Sequence, residues 1–438
     1  MADRRRLGLP SASALVVASM VGAGIFTTSG FLVRDLGSPA RVLAAFAVGG
    51  PIALLGALSY GALARKLPES GGEYLFLSRT LHPSIGFTAG WLSLLVGFTA
   101  PLAAAAAAFG AYTEPWFPGL GVRETGTLLI VVTAAAHAVH VGGGAVLQNF
   151  AVGMKLLLAF GFAVWAFLRP SSPVAAGPTS GGVEAFSWAT FGVSLVWVSF
   201  SYSGWNAAVY VGGEVRRPEK NLPRALLLGT GVVVLLYLAL NGAFFRAPVE
   251  ELSGRLTVGR VAAEHLGGAA ASDFLAALIA LALFTSASAL VMSGPRVYQK
   301  MARDDLFPKI LTGASGPPRA AILLQAALAL LMLWSAAYDS LLTYIGFTLG
   351  LSTAATVVGL LRLRAREGVR AVRIPGGPWV PALFLLAVTG LTAASIAQRP
   401  DESAWGLATI LSGFLLWRLS AAIRVNGSLR RSIQDPPR

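Results

Sequence analysis

Val21-Gly22-Ala23-Gly24-Ile25-Phe26 and, roughly 180 residues further on, Phe200-Ser201-Tyr202-Ser203-Gly204-Trp205-Asn206 interrupt two hydrophobic segments near their middles. Inside a bilayer the backbone has no water to bond, so helix-breaking sequence at that depth is tolerated only beside a cavity or a ligand. A matched pair of interrupted segments in corresponding halves is the sequence mark of a substrate site in a secondary transporter. The two stretches therefore predict a transporter whose site lies between them.

The rest of the chain agrees with a membrane setting. Of 438 residues, 55% are apolar and 12% charged, with a mean hydropathy of +0.68; soluble chains carry about a quarter charged residues. At roughly 20 apolar residues per span, the pattern predicts an all-α integral membrane protein with 12 transmembrane helices. They fall near 11–33, 41–64, 84–110, 124–141, 146–168, 187–213, 222–246, 272–300, 320–337, 340–361, 377–397 and 403–420. Arg4, Arg5 and Arg6 before the first span resemble a signal-peptide flank, but the apolar run is too long and too many spans follow, so it is read as uncleaved. Without Cys there are no disulfides and no thiolate metal sites.

Charge orients the chain. The net charge is +14, and 25 of the 34 Lys and Arg fall in the loops and termini of one face, against 8 on the other. That is the positive-inside pattern, not a nucleic-acid footprint, and it predicts both termini in the cytoplasm of a cell (inner) membrane. The first and sixth spans are both broken. Because five is odd, a second five-helix unit must lie upside down relative to the first. The expected organisation is one domain, 1–438: a first repeat over about 11–168, a second over about 187–361, helices eleven and twelve over about 377–420, and a cytoplasmic tail, 421–438. The Pro/Gly/Ser-rich stretches 170–182 and 312–318 are loops.

Unwinding at Gly22 and Gly24 would leave the next half-helix with unpaired N–H groups, which suit an anion such as a zwitterion's carboxylate. Close helix packing through small residues is an equal alternative for this stretch alone. The second break tips the balance: Gly204 with Ser201, Ser203 and Asn206 makes a polar centre whose freed carbonyls can accept an ammonium. Phe200 and Tyr202 are expected to cover the site as movable aromatic plates. Ordinary core packing for Phe200, and an interface anchor for Trp205, remain the alternatives. The predicted substrate-binding set is Val21, Gly22, Ala23, Gly24, Ile25, Phe200, Ser201, Tyr202, Ser203 and Gly204.

The run F-S-Y-S-G-W-N-A-A-V-Y-V-G-G-E-V-R-R-P-E-K-N-L-P-R-A, at 200–225, resembles the sixth helix and following loop of the amino acid–polyamine–organocation superfamily, closest to its L-type amino acid transporter branch. V-G-A-G-I-F resembles that family's first-helix signature, P-E-S-G-G-E-Y-L-F-L-S-R-T-L-H-P-S-I-G-F-T-A-G-W its second-to-third-helix loop, and G-P-R-V-Y-Q-K-M-A-R-D-D-L-F-P the end of its eighth helix. The resemblance covers most of 15–310. It implies the leucine-transporter fold, a 5+5 inverted repeat plus two C-terminal helices with helices 1 and 6 broken, and it puts Phe200 at the position of the aromatic gate. The family's eukaryotic L-type members pair with a heavy chain through a Cys between helices three and four. The loop Tyr112–Pro118 has none, so no disulfide-linked heavy chain is expected and the chain is read as a stand-alone, prokaryotic-type permease.

Lys155 sits about nine residues into the fifth span, between apolar neighbours. A lone intramembrane cation is a functional hypothesis by default; the alternative is a Lys snorkelling to the interface. The resemblance implies that its ammonium stands where sodium-coupled relatives hold the ion, bridging first-helix carbonyls near Val21 and Gly22 to Ser286 and Ser288 of the eighth helix. Tyr237 joins Phe200, Lys155 and Ser286 as a gate or coupling candidate, directed at the fifth helix and the substrate region, with packing as its alternative. His137 and His140 are read as interface histidines. The loop Glu214, Arg216, Arg217, Glu219 and Lys220 is read as solvated charge, or as gate ion pairs to Arg65 or Lys66.

No Asp or Glu falls in the middle of any span, so a neutral amino acid is the expected substrate. Its carboxylate would meet the first break, its ammonium the second, and its side chain helices three, six, eight and ten. The expected activity is sodium-independent exchange by alternating access, in contact with membrane lipid and without a cofactor or metal. The alternatives are a proton-coupled or cationic amino acid or polyamine permease and, more distantly, a non-transporting sensor, for which no soluble domain is in evidence. An enzyme is disfavoured because no acid–base or nucleophile pair appears at membrane depth.

Overall fold

The computed structural model describes residues 7–139, 144–169, 187–313 and 317–434. Arg4, Arg5, Arg6, His140, the loop 170–182 and residues 314–316 of the loop 312–318 therefore lie outside the described residues. The described residues are all-helical, with one isolated backbone bridge between Leu7 and Val215. Nine helices among them are long and apolar enough to cross a membrane, and two shorter apolar helices, Trp188–Ser201 and Arg319–Ser335, accompany them.

The first predicted span is two helices, α1 (Leu9–Met20) and α2 (Ala23–Leu36), parted at Val21 and Gly22. Pro10 stands at the start of α1, where its missing N–H is no loss. After α3 (Pro39–Lys66), a short helix α4 (Gly72–Thr80) leads into α5 (Pro83–Leu92). The third span then passes through a π-helical segment, Ser93–Thr99, before α6 (Ala100–Thr113). Pro101 explains the widening: it has no N–H, and its ring would clash with the carbonyl of Gly97 four residues back, so the ladder shifts register there.

Next come α7 (Val122–Val139), α8 (Gly144–Leu168) and α9 (Trp188–Ser201). Past α9 the chain unwinds through 202–206, with Gly204 at φ +95°, and resumes as a 3₁₀ segment, Ala207–Glu214. The sixth span is thus broken as the sequence predicts. The chain continues as α10 (Pro218–Phe244), one turn α11 (Val249–Leu252) and α12 (Val258–Arg303). The last of these is interrupted at Gly267 and at Gly268 (φ +71°), so the stretch before them is a separate short helix and the predicted eighth span is the part after them. Then follow α13 (Arg319–Ser335), α14 (Tyr338–Glu367), α15 (Trp379–Gln398) and α16 (Pro400–Gln434). Residues 421–434 are the last part of α16.

Packing divides the helices into two groups. In one, α10 lies along α3 and α1, and α9 against α2. In the other, α6, α7, α12 and α13 pack together. The groups meet where α2 touches α6 and α12, so the two breaks stand at the centre of the molecule. Outward apolar side chains such as Leu157 (71% exposed), Leu386 (71%) and Leu168 (80%) belong to the outer surface. Exposed apolar area on that scale marks a lipid-facing wall.

Candidate functional site

A cavity of about 140 Å³, counted as room for the centres of water molecules, opens between the two breaks. The end of α1 contributes Ser19 and Met20, the start of α2 Gly22, Ala23 and Gly24, and the second break Phe200, Tyr202, Ser203, Gly204, Trp205 and Asn206. The opposite wall is Ser286, Ala289, Leu290 and Ser293 of α12, with Gly97 and Phe98 of the π segment. The rest of the wall is formed by α14, and also by α3 and α15 through residues such as Ile52, Phe384 and Ser395, which the sequence did not place there.

Two glycines allow this closeness. A Cβ on Gly24 would overlap the Ser201 Cα, and one on Gly204 would come within 2.7 Å of the Ser19 carbonyl. The breaks therefore touch backbone to backbone. Of the residues singled out in the sequence, Gly22, Ala23, Gly24, Phe200, Tyr202, Ser203 and Gly204 line the cavity, and so does Ser286. Val21, Ile25 and Ser201 do not: they are buried behind its wall, and the Ser201 hydroxyl lies 2.9 Å from that of Thr28. Tyr202 is no movable plate, since its hydroxyl donates to the Phe46 carbonyl (3.1 Å) and its ring packs on Phe46 and Tyr237. Nor is Trp205 an interface anchor. It is 7% exposed and edge-on to Tyr60 at 4.7 Å.

Gly22, Ala23 and Gly24, at the N-terminus of α2, line the cavity with no acidic side chain in that turn; such an end favours an anion. At the second break the Phe200 and Gly204 carbonyls each accept one turn bond, from Ser203 N (2.9 Å) and Ala207 N (3.0 Å). Each keeps a second lone pair for a further donor. The arrangement can hold a carboxylate at one pole and an ammonium at the other.

Of the coupling candidates, Phe200 and Ser286 are in the wall and Lys155 and Tyr237 stand behind it. Lys155 is 1% exposed and donates to the Val21 carbonyl at 2.7 Å, so it does not snorkel. Ser286 faces Gly22, whose added Cβ would come within 2.7 Å of the serine oxygen. Ser288 instead meets His137 Nε2 at 2.8 Å, which ties the end of α7 to α12. Tyr237 points to the breaks: its hydroxyl is 2.6 Å from the Met20 carbonyl and 3.0 Å from that of Ser201, joining both interruptions. Tyr237→Phe removes the one proton that this hydroxyl offers to the two carbonyls; the Met20 carbonyl still accepts from Gly22 N (2.9 Å), so the loss is that of one buried bond, about 1–3 kcal/mol. It should lower uptake at limiting substrate by roughly tenfold or more with little loss of folded protein; uptake at the wild-type rate in proteoliposomes would refute that role.

The two ends of the broken helix are held differently. On α2, Thr27 meets Tyr338 (2.7 Å), Ser29 donates to Asn241 (2.6 Å), the Phe26 carbonyl accepts from Tyr112 (2.7 Å), and the Gly30 carbonyl from Gly254 N (2.9 Å). On the other side Leu7 N donates to the Glu214 carbonyl and Arg216 N to the Leu7 carbonyl. The charged loop pairs otherwise than predicted: Glu214 with Arg296 (3.0 Å), and Lys66 with Glu367 (2.8 Å).

Sequence reasoning missed Glu73. It lies between spans, yet α4 turns it inward to the cavity wall at 2% exposure. Its Oε1 accepts from the Tyr60 hydroxyl (2.7 Å) and Asn206 Nδ2 (3.0 Å), and its Oε2 from the Ser352 hydroxyl (2.6 Å). Burial pushes the carboxyl above the ordinary range, and the donors Ser352, Tyr60 and Asn206 act to lower it. The available signal was its place in Gly71-Gly72-Glu73-Tyr74-Leu75-Phe76-Leu77, a carboxylate heading an apolar run. No Asp or Glu stands in the middle of a predicted span; the carboxylate reaches the cavity wall from the short helix between two of them.

Comparison with known proteins gives one family and a consistent set of relatives. The family described as amino acid permease matches residues 7–417. The chain is similar to the human cystine/glutamate transporter, 27% identical over 441 residues that cover 94% of this chain and 86% of that protein. It is 28% identical to the human large neutral amino acids transporter small subunit 2 over 436 residues, 94% of this chain and 80% of that one. It is 26% identical to the serine/threonine exchanger SteT of Bacillus subtilis over 405 residues, 88% and 89% of the two chains.

Proposed function

The chain belongs to the amino acid permease family, and from that premise we propose that it is a sodium-independent exchanger of neutral L-amino acids working by alternating access. It is a multi-pass membrane transporter and no enzyme is implied by its family. The observation that carries the proposal is the single cavity shared by the start of α2 and the second break, one suited to a carboxylate and the other to an ammonium. Phe200, in the cavity wall, would close over the bound zwitterion. Lys155, on the Val21 carbonyl, would take the place of a coupling ion.

Neutral side chains remain the better reading despite Glu73, whose oxygens already take three protein donors. The names of the relatives above, a large neutral amino acid transporter and a serine/threonine exchanger, support it. Glu73 in the wall favours a second reading, a cationic substrate. Twelve spans in a 5+5 inverted repeat of the leucine-transporter type are supported by the nine long apolar helices, the two shorter ones and α16. The excess of Lys and Arg on the terminal side supports cytoplasmic termini in a cell membrane.

Uptake of a labelled panel into proteoliposomes tests the reading. Neutral amino acids should enter only when unlabelled amino acid is inside, and neither a sodium gradient nor a proton gradient should drive them. Uptake confined to cationic substrates would establish the second reading, and sodium-driven uptake would overturn the role given to Lys155.

A further inference from the structure

Glu73 is the one buried carboxylate in the cavity wall among the described residues, and the function above makes no use of it. Its three donors come from three different elements. Tyr60 belongs to α3, Asn206 to the second break, and Ser352 to α14. All three are donors and none of these bonds needs a proton on the carboxyl, the pattern that an ionised carboxylate demands. Among the described residues no Lys, Arg or His forms an ion pair with it.

The surrounding charges are engaged elsewhere. Tyr74, its neighbour on α4, donates to Asp304; Glu214 pairs with Arg296; Lys66 pairs with Glu367. The titratable groups that face it are the phenols of Tyr60 on α3 and Tyr210 on the 3₁₀ segment. Gly72 lets α4 come this near: at φ +55° it packs directly on the Tyr210 ring, where a Cβ would overlap the ring atoms.

We propose that Glu73 is a positioning residue for substrate binding, acting through Asn206: its carboxylate fixes the Asn206 side chain, and with it the shape of the second break, against α3 and α14. Asn206 lines the cavity and ends the unwound stretch, so its orientation sets the break's carbonyls. The inference rests on the reading of that cavity as the amino acid site.

Protonation is the natural switch of such a clasp. A neutral carboxyl carries a proton on one oxygen, which the Ser352 or Tyr60 hydroxyl can turn to accept, but the Asn206 Nδ2 can only donate and is left with an uncharged, weaker acceptor. Burial raises this carboxyl on folding. A group raised in that way contributes stability in full below its unfolded pKa and loses it as pH rises through the folded one. Acid therefore favours the fold at this residue while loosening the clasp. Stability and binding should move in opposite directions, which a merely structural role would not produce.

Glu73→Gln keeps the shape and removes the charge. With equal pH on both sides of the proteoliposome, wild-type KM for exchange should rise about tenfold from pH 7.5 to the acid limb, with kcat within about twofold, the size of one charge-assisted hydrogen bond. Glu73→Gln should show the raised KM throughout and melt no lower than wild type. In an Asn206→Ala background the same substitution should add nothing. A wild-type KM in Glu73→Gln, the same pH slope in both, or additive effects with Asn206→Ala would each overturn the proposal.

A second readout needs no transport. Trp205 adjoins Asn206 and packs on Tyr60, so the part of the intrinsic fluorescence lost in Trp205→Phe should titrate with pH in wild type and not in Glu73→Gln. In Ser352→Ala, which deletes a donor to the carboxylate, the midpoint should move to higher pH. Absence of that titration overturns the positioning role. A wild type that exchanges no amino acid, but shows the titration, refutes the transport reading alone.

Discussion

Gly24→Ala should reduce exchange by roughly ten- to a hundredfold, whereas Gly22→Ala, two residues away in the same break, should be far milder. At Gly24 the added Cβ would overlap the Ser201 Cα, a backbone atom of the other broken helix. Neither helix can yield alone: Thr28 is joined to Ser201 at 2.9 Å, and Tyr237 holds the Ser201 and Met20 carbonyls together. Overpacking of this kind is worth about 1–3 kcal/mol, and each 1.36 kcal/mol spent on the productive geometry is a factor of ten in rate. At Gly22 the Cβ would meet only the Ser286 oxygen at 2.7 Å, the tip of a side chain that can rotate. Uptake by both variants, normalised to protein that stays monodisperse in detergent, checks the contrast. Equal activities would mean that the breaks do not need their backbone contact.

Lys155→Ala is the second large effect, expected to slow exchange by roughly thirtyfold or more. The ammonium is 2.7 Å from the Val21 carbonyl, in the break itself, and is shielded from solvent. Its removal strips a buried carbonyl of a charged donor, worth about 1.5–3 kcal/mol, and leaves a void where a long side chain packed. Lys155→Met separates the two causes, since it restores most of the volume and none of the donor. If the bond to Val21 is what matters, Lys155→Met should be as slow as Lys155→Ala. The remaining tie between α8 and α1, Asn149 to Ser11 at 3.0 Å, should keep the protein folded, so the defect should appear as a larger KM on the terminal side than on the opposite one. Wild-type kinetics on both sides in Lys155→Met would reduce Lys155 to packing.

Much of the architecture was legible because bilayer physics leaves few choices. Apolar runs of span length, the two glycine-broken stretches and the distribution of Lys and Arg each express a constraint that acts locally along the chain. Lys155 could be singled out for the same reason: a cation between apolar neighbours is conspicuous in one dimension. Even the direction of its bond, toward Val21, was anticipated, though through resemblance.

What escaped the sequence depends on which residues far apart in the chain face one another. Val21, Ile25 and Ser201 stand within the broken stretches and yet turn away from the cavity, because each break has two sides and only packing chooses between them. Tyr237 reaches from α10 to carbonyls in both breaks, and Tyr202 is pinned by α3. Glu73 is the clearest case. By sequence it is a loop carboxylate between two spans. The fold of α4 carries it to the cavity, where Tyr60, Asn206 and Ser352, which are 13, 133 and 279 residues away, supply the donors that let a carboxylate be buried there. The sequence by itself determined the membrane helices, the two breaks and the lone cation, since each follows from local hydropathy and backbone freedom. Only the tertiary structure decided which groups line the site, because burying a polar atom depends on partners that the chain brings from a distance.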